Sequence, residues 1–216
     1  MRLVIFGASG PTGLELCRQA LATGHHVTAA VRRPEAFPLR DDALTVARAN
    51  VMDGSSLAQV IDEADAVLST LGAGYSRHEI RVYSVGTSAI VDAMRASVHC
   101  RRLVVVSAGL VPFKEGMKVR GFFQDRIALP LLRNVIGRTL YEDMLRMEDY
   151  LAACDDIAWT IMRPGRLING AGVSRYRLDK DFPVGNVTTR ADLAAAMLAE
   201  LGPSGHVHQK LSPTTR

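Results

Sequence analysis

Cysteine is scarce in this chain of 216 residues: Cys17, Cys100 and Cys154 are far apart, odd in number, and form no CxxC. That leaves no disulfide framework, and thiols in or beside apolar helical patterns are expected to be buried. A reducing compartment, the cytosol, is the expectation. HExxH and Cys/His clusters are absent, so no metal is expected. Long apolar runs are absent too. The longest, 103–113, is broken by Ser107, Gly109 and Pro112 and cannot span a bilayer. The first strand begins at Arg2 with no charged leader and no cleavage pattern, so no signal peptide is expected. Charge of one sign is not in great excess. A formal net charge of +4 is too mild to argue for nucleic acid and suits an anionic cofactor or substrate equally well. No repeat, low-complexity tract or linker divides the chain, so 1–216 is expected to be one domain.

What is present alternates. Leu3-Val4-Ile5-Phe6 is a short apolar run ending in glycine, the pattern of a buried parallel strand. Leu14, Cys17 and Leu21 then recur at helical spacing until Gly24. Strands are predicted over 26–31, 44–47, 66–68, 103–106 and 159–162, with a short last one over 206–211. Between them fall helical patterns over 55–61, around Ile90, Met94 and Val98, through Leu140, Met144, Met147 and Leu151, and over 190–201. Thr189 with Asp192 has the spacing of a capping box. Alternating strands and helices require right-handed crossovers and a mostly parallel sheet covered on both faces. The expected fold is therefore α/β, doubly wound and of Rossmann type.

The loop GASGPTG joins the first strand directly to the first helix. Gly7 permits the tight turn, Gly10 lets backbone approach a pyrophosphate, and Gly13 lets helix pack close to strand. Ser9, Gly10, Pro11 and Thr12 then surround the helix N-terminus, whose N–H groups suit phosphate; Pro11 fits the first turn, where no N–H is needed. An acid at the end of the second strand would bind the ribose 2′-OH of NAD. No Asp or Glu occurs between Glu15 and Glu35, and that strand ends in Arg32-Arg33. Two guanidiniums there fit a 2′-phosphate, so NADP is expected over NAD. Asn50 and Val51 follow the third strand, on the adenine side. Leu71-Gly72 follow the fourth, toward the nicotinamide half.

GASGPTG, LVVVSAG, EDMLRMEDYL running into AWTIMRPGRL, and TTRADLA together resemble the atypical short-chain dehydrogenase/reductases. The likeness is to the NAD(P)H-binding, NmrA-like group, including its biliverdin-IX-beta reductase/flavin reductase type, and it covers residues 1 to about 211. The resemblance implies that Ser107, with Ala108, lies near the nicotinamide. It implies that Arg163-Pro164-Gly165 lines the cofactor on the other side. Where many relatives have an acid contacting adenine, this chain has Asn50. Ordinary members of the superfamily carry a Tyr-x-x-x-Lys pair on the helix after the serine strand. Here Tyr141 is followed by Leu145 and Tyr150 by Cys154, and Met144 stands where many relatives have a lysine, four residues before Glu148. Tyr176 to Lys180 does spell the pair, but lies beyond the sixth strand in a stretch that reads as an alternating strand.

Without a tyrosine acid, the chemistry that fits is hydride transfer to a conjugated acceptor (a flavin, quinone or linear tetrapyrrole) that can take its proton from water. Ser107 would then position nicotinamide or acceptor; it is no nucleophile, because no His–acid pair is placed to activate it. Residues 110–138, basic and interleaved with Phe113, Phe122 and Phe123, read as a lid or pocket wall. The expected partners are a small-molecule substrate and at most a second copy of the chain, with no nucleic acid and no membrane span. Two rivals stand beside the reductase. One is a non-catalytic NAD(P) sensor of NmrA-like type acting on a protein partner. The other is an epimerase or dehydratase, which needs an acid the sequence does not supply.

Overall fold

In a computed structural model, which describes residues 1–76, 78–109, 137–181 and 185–216, eight strands form one sheet in the order β3-β2-β1-β4-β5-β6-β10-β8. The parallel strands are β1 (Arg2–Phe6), β2 (His26–Val31), β3 (Leu44–Arg48), β4 (Ala66–Ser69), β5 (Arg102–Val106), β6 (Ala158–Met162) and β10 (Gln209–Thr215). Strand β8 (Tyr176–Lys180) closes the far edge antiparallel to β10. A second, two-stranded parallel ladder joins β7 (Arg166–Ile168) to β9 (Val187–Thr189). The sheet is α/β and doubly wound, as the alternation of patterns requires.

The central strands are apolar on both faces because both faces are covered. Helices α1 (Pro11–Ala22) and α5 (Arg190–Ala199) pack on one side with Leu3, Ile5, Leu16, Leu68 and Met197. Helices α2 (Leu57–Ile61), α3 (Ser84–Ala96) and α4 (Arg138–Ala152) pack on the other with Phe6, Ile61, Ile90, Met94 and Met147. All ten of these side chains are 0–1 % exposed. Strand order reverses beside β1, where β2 leads one way and β4 the other. The crevice at the carboxyl ends of these strands is where open α/β sheets bind ligands.

Boundaries differ from the sequence reading where side chains compete with backbone. The second helix starts at Leu57, not Ser55, because Ser55 is tied to Asp53 through both its N–H (3.0 Å) and its hydroxyl (2.9 Å). The helix expected to reach residue 201 ends at Ala199, and Glu200 turns back to accept the N–H of His206. The last strand starts at Gln209 rather than residue 206 and runs through Pro213 to Thr215. The proline is tolerated because β6 pairs only with Gln209–Leu211, so no β6 acceptor waits for the missing N–H. The Thr189 cap forms as its spacing predicts: the N–H of Asp192 donates to Thr189 Oγ1 at 3.0 Å. The Asp192 carboxylate then accepts from the N–H (2.6 Å) and hydroxyl (2.9 Å) of Ser174, pinning the excursion between β7 and β8. Residues 110–136 of the segment read as a lid lie outside the described residues.

Candidate cofactor crevice and its buried carboxylate

The glycine loop is a turn closed by the N–H of Gly10 donating to the carbonyl of Gly7 at 3.0 Å, and α1 starts at once, with Leu14 N–H on Gly10 O at 2.8 Å. Its glycines answer different demands. Gly7 has φ +73°, and a Cβ there would sit 2.5 Å from the carbonyl oxygen of Thr70 as the exit of β4 passes. A Cβ on Gly13 would sit 2.3 Å from Gly7 O. The fold itself therefore requires glycine at both positions. At Gly10 the backbone is extended, φ −75° and ψ 161°, and a Cβ would meet only Gly7 O at 3.3 Å. The fold asks little there, so what the bare Cα preserves is the approach from outside. Ser9 and Pro11 are exposed, and Thr12 is half-buried at the helix mouth. This fits a pyrophosphate cradled by backbone at a helix N-terminus.

At the adjacent edge, Arg32 and Arg33 are both exposed just past β2. The register Val31↔Arg48 brings a third guanidinium beside them. Arg48 donates to Arg32 O at 3.1 Å and to Glu35 Oε2 at 3.3 Å. Arg48 escaped the sequence reading because only strand pairing brings β3's end to β2's. Glu35, at this corner, is thus engaged by a cation in a largely exposed pair, which adds little to stability. Asn50 forms a local turn, its Oδ1 accepting the N–H of Met52 at 3.2 Å. Val51 and Leu71, from different loops, converge over Gly86 of α3, whose added Cβ would lie 2.9 Å from Val51 Cγ2 and 3.1 Å from Leu71 Cδ1. Gly72 is exposed at the end of that wall.

At the other half, backbone of the predicted site residues runs together: Ser107 N–H donates to Met162 O and Gly109 N–H to Pro164 O, both at 2.8 Å. Ala108 is half-buried between them and Pro164 is buried. The side chains of Ser107 and Arg163, however, turn inward. Ser107 is 3 % exposed, and its hydroxyl donates to Glu148 Oε1 at 2.7 Å. Arg163 is 5 % exposed, with Nε on Glu148 Oε1 at 3.0 Å and Nη2 on Oε2. Lys210 Nζ adds a fourth donor, from a third residue, at 3.0 Å. Burial pushes the Glu148 carboxyl up, but Arg163, Ser107 and Lys210 more than offset this and hold it below its ordinary value. One carboxylate of α4 thus ties β5, β6 and β10 together beneath the crevice. Nothing in its sequence spacing identified Glu148 or Lys210 as partners, because four distant segments supply the cluster.

The 7–9 ladder was equally illegible, its strands being too short for a period. Its register, Ile168↔Thr189, sets Asn169 beside Arg190, and Arg190 Nη1 donates to Asn169 Oδ1 at 2.9 Å. With Ser9, Pro11 and Arg18 they line a cleft of about 370 Å³ against the glycine loop. Gly165, which follows Pro164, must be glycine: a Cβ would lie 2.6 Å from Asn186 O. Tyr176 is on the edge strand β8, and β6 and β10 stand between it and β5, so Tyr176 and Lys180 do not face Ser107.

A profile described as NAD(P)H-binding matches residues 7–202. The chain is 26 % identical over 219 residues to the uncharacterized protein YwnB of Bacillus subtilis, covering 98 % of this chain and 97 % of that one. It superposes with a TM-score of 0.79 on a candidate NADH-flavin reductase from Streptococcus pneumoniae, at 22 % identity over the whole of both chains. A wide-type short-chain dehydrogenase/reductase from Veillonella parvula, solved with NADP, superposes with a TM-score of 0.78 at 16 % identity, over 98 % of this chain and 93 % of that one. At these identities the superpositions show a shared Rossmann fold.

Proposed function

Because the chain belongs to the NAD(P)H-binding family, we propose that it is an NADPH-dependent reductase that passes a hydride to a flat conjugated acceptor such as a flavin, quinone or linear tetrapyrrole. The observation that carries the reading is the crevice itself: an open backbone approach at Gly10 beside a corner holding Arg32, Arg33 and Arg48. When bound, NADPH supplies the hydride. The chain's own residues bind and orient. The loop N–H groups and the exposed Ser9 hydroxyl hold phosphate oxygens on one side, with Asn169 and Arg190 across the cleft. The arginine corner takes the 2′-phosphate. Val51 and Leu71 form an apolar wall. The hydroxyl proton of Ser107 is given to Glu148, so Ser107 holds the end of β5 in place and offers lone pairs rather than a proton. Three unpaired, buried thiols are compatible with a reducing cytoplasm, which we take as the compartment. Among the described residues no helix is long and apolar enough to cross a membrane.

Arg32→Ala should weaken NADPH on the order of tenfold while leaving NADH nearly unchanged, the loss of one charge-assisted phosphate contact. Equal losses for both, read by fluorescence titration, would remove Arg32 from the 2′-phosphate.

A second reading is favoured by the same Ser107–Glu148 bond: with that proton committed and no Tyr–Lys pair, the protein would bind NAD(P)H and signal its presence to a protein partner. One experiment separates the two. Purified protein is first shown to bind NADPH by fluorescence, then given FMN, a quinone or biliverdin while NADPH absorbance is followed. Turnover supports the reductase. Binding without turnover on any acceptor shifts the assignment to the sensor.

A further inference from the structure

Two bonds hold the Arg48 guanidinium at the corner past β2, and they differ in kind. Nη1 donates to the backbone carbonyl of Arg32 at 3.1 Å, and Nη2 donates to Glu35 Oε2 at 3.3 Å. The first partner is set by strand pairing: the N–H of Ala49 donates to Val31 O at 2.9 Å and ties the exit of β3 to the exit of β2. The second rides on a one-turn 3-10 helix, Pro34–Ala36. That turn is closed by Ala36 N–H on Arg33 O at 3.2 Å and by Phe37 N–H on Pro34 O at 3.1 Å. Phe37, 2 % exposed, pins the turn to the core, and Arg40 Nη1 donates to Phe37 O at 2.6 Å. Backbone is thus held on both sides of the pair, while Arg48 and Glu35 keep 70 % and 64 % of their side chains in water.

An ion pair so exposed is weak, and a stronger anion displaces its carboxylate at little cost. A phosphate monoester is such an anion. It carries a charge of about −1.5 to −2 at neutral pH and presents three strong acceptor oxygens. A guanidinium has five N–H donors in a planar fork, so Arg48 can keep its bond to Arg32 O while its Glu35 edge turns to the phosphate. A dinucleotide without the 2′-phosphate brings no such anion, and the Glu35 pair stays closed.

We propose that Glu35 is a specificity-determining residue that restrains the preference for NADPH over NADH. Its carboxylate holds Arg48 in the free protein, and the 2′-phosphate must take that guanidinium from it. The exchange removes part of the affinity for NADPH; NADH makes no such exchange. Glu35 acts through Arg48 and touches no reacting atom, so it is a positioning residue and not a catalytic one. The inference rests on the reading of this corner as the 2′-phosphate site, and it is independent of the acceptor.

The test measures binding and needs no turnover. NADPH and NADH are titrated by fluorescence, and adenosine 2′,5′-bisphosphate and adenosine 5′-monophosphate by calorimetry. The proteins are wild type, Glu35→Gln, Arg48→Gln and the double variant; both residues are exposed, so all four should melt together. Glu35→Gln should tighten NADPH and the bisphosphate about threefold, the weight of one exposed pair, and leave NADH and the monophosphate where they are. Arg48→Gln should weaken NADPH and the bisphosphate on the order of tenfold, again without moving NADH. In the Arg48→Gln background the gain from Glu35→Gln should vanish, because the cation it released is gone. A Glu35→Gln variant that binds NADPH as wild type does overturns the inference. So does an equal change for all four ligands, the mark of a residue that serves only the shape of the turn. A gain that persists without Arg48 overturns it too, since Glu35 would then act by plain repulsion. If neither Arg32→Ala nor Arg48→Gln weakens NADPH more than NADH, the corner is no 2′-phosphate site, and that reading falls together with this one.

Discussion

Glu148→Gln should cost the fold about 3–5 kcal/mol, the range for removing one partner of a buried ion pair. The amide keeps the shape of the carboxylate but not its charge. Arg163, with 6 % of its side chain exposed, and Lys210, with 25 %, would then meet a neutral amide where they now meet a shared carboxylate. For a domain of this size that is a fall in Tm of roughly 10 °C. The effect should depend on pH in a defined direction. A carboxyl held below its ordinary value adds stability above the unfolded pKa, and that stability is lost as pH falls through the folded one. The gap in Tm between wild type and Glu148→Gln should therefore be widest near neutrality and shrink below about pH 4. Thermal melts at pH 7, 5, 4 and 3 read both effects. A variant as stable as wild type at pH 7 would mean that the two cations find other partners and the cluster is no strap.

Gly10→Val should abolish dinucleotide binding, a loss of at least about a hundredfold if a branched side chain stands where a pyrophosphate must approach. The fold should survive, because the backbone at Gly10 is extended and a Cβ there meets only one atom, at 3.3 Å. Gly13→Ala makes the contrast. Its Cβ would fall 2.3 Å from Gly7 O and 2.7 Å from Ala8 Cα, so that variant should lose stability as well as binding. Circular dichroism, thermal melts and NADPH fluorescence on the pair separate the two kinds of glycine. Unchanged binding in Gly10→Val would move the cofactor away from this loop; an unfolded Gly10→Val would mean the loop is tighter than its geometry shows.

The crevice half built from adjacent residues could be read from the chain, and the half built from distant ones could not. GASGPTG carries its meaning locally. A tight turn, a bare Cα and a helix start all lie within seven residues, and each depends on backbone that those residues themselves set. The same holds for Arg32-Arg33, which end a strand whose pattern is plain. Arg48 is different: it matters because β3 pairs with β2, and pairing is not written in either strand.

The doubly wound order of elements was determined by the sequence itself, because apolar runs alternating with amphipathic patterns can bury their faces only as a parallel sheet between two helix layers. So were the glycine loop and the Thr189 cap, whose partners lie within a few residues. Tertiary structure alone decided the direction of the Ser107 and Arg163 side chains, the strap through Glu148 and Lys210, and the Asn169–Arg190 pair. Each of these joins residues from different strands or helices. A buried charge must find its partners wherever the packed core delivers them, and that choice belongs to the whole chain at once.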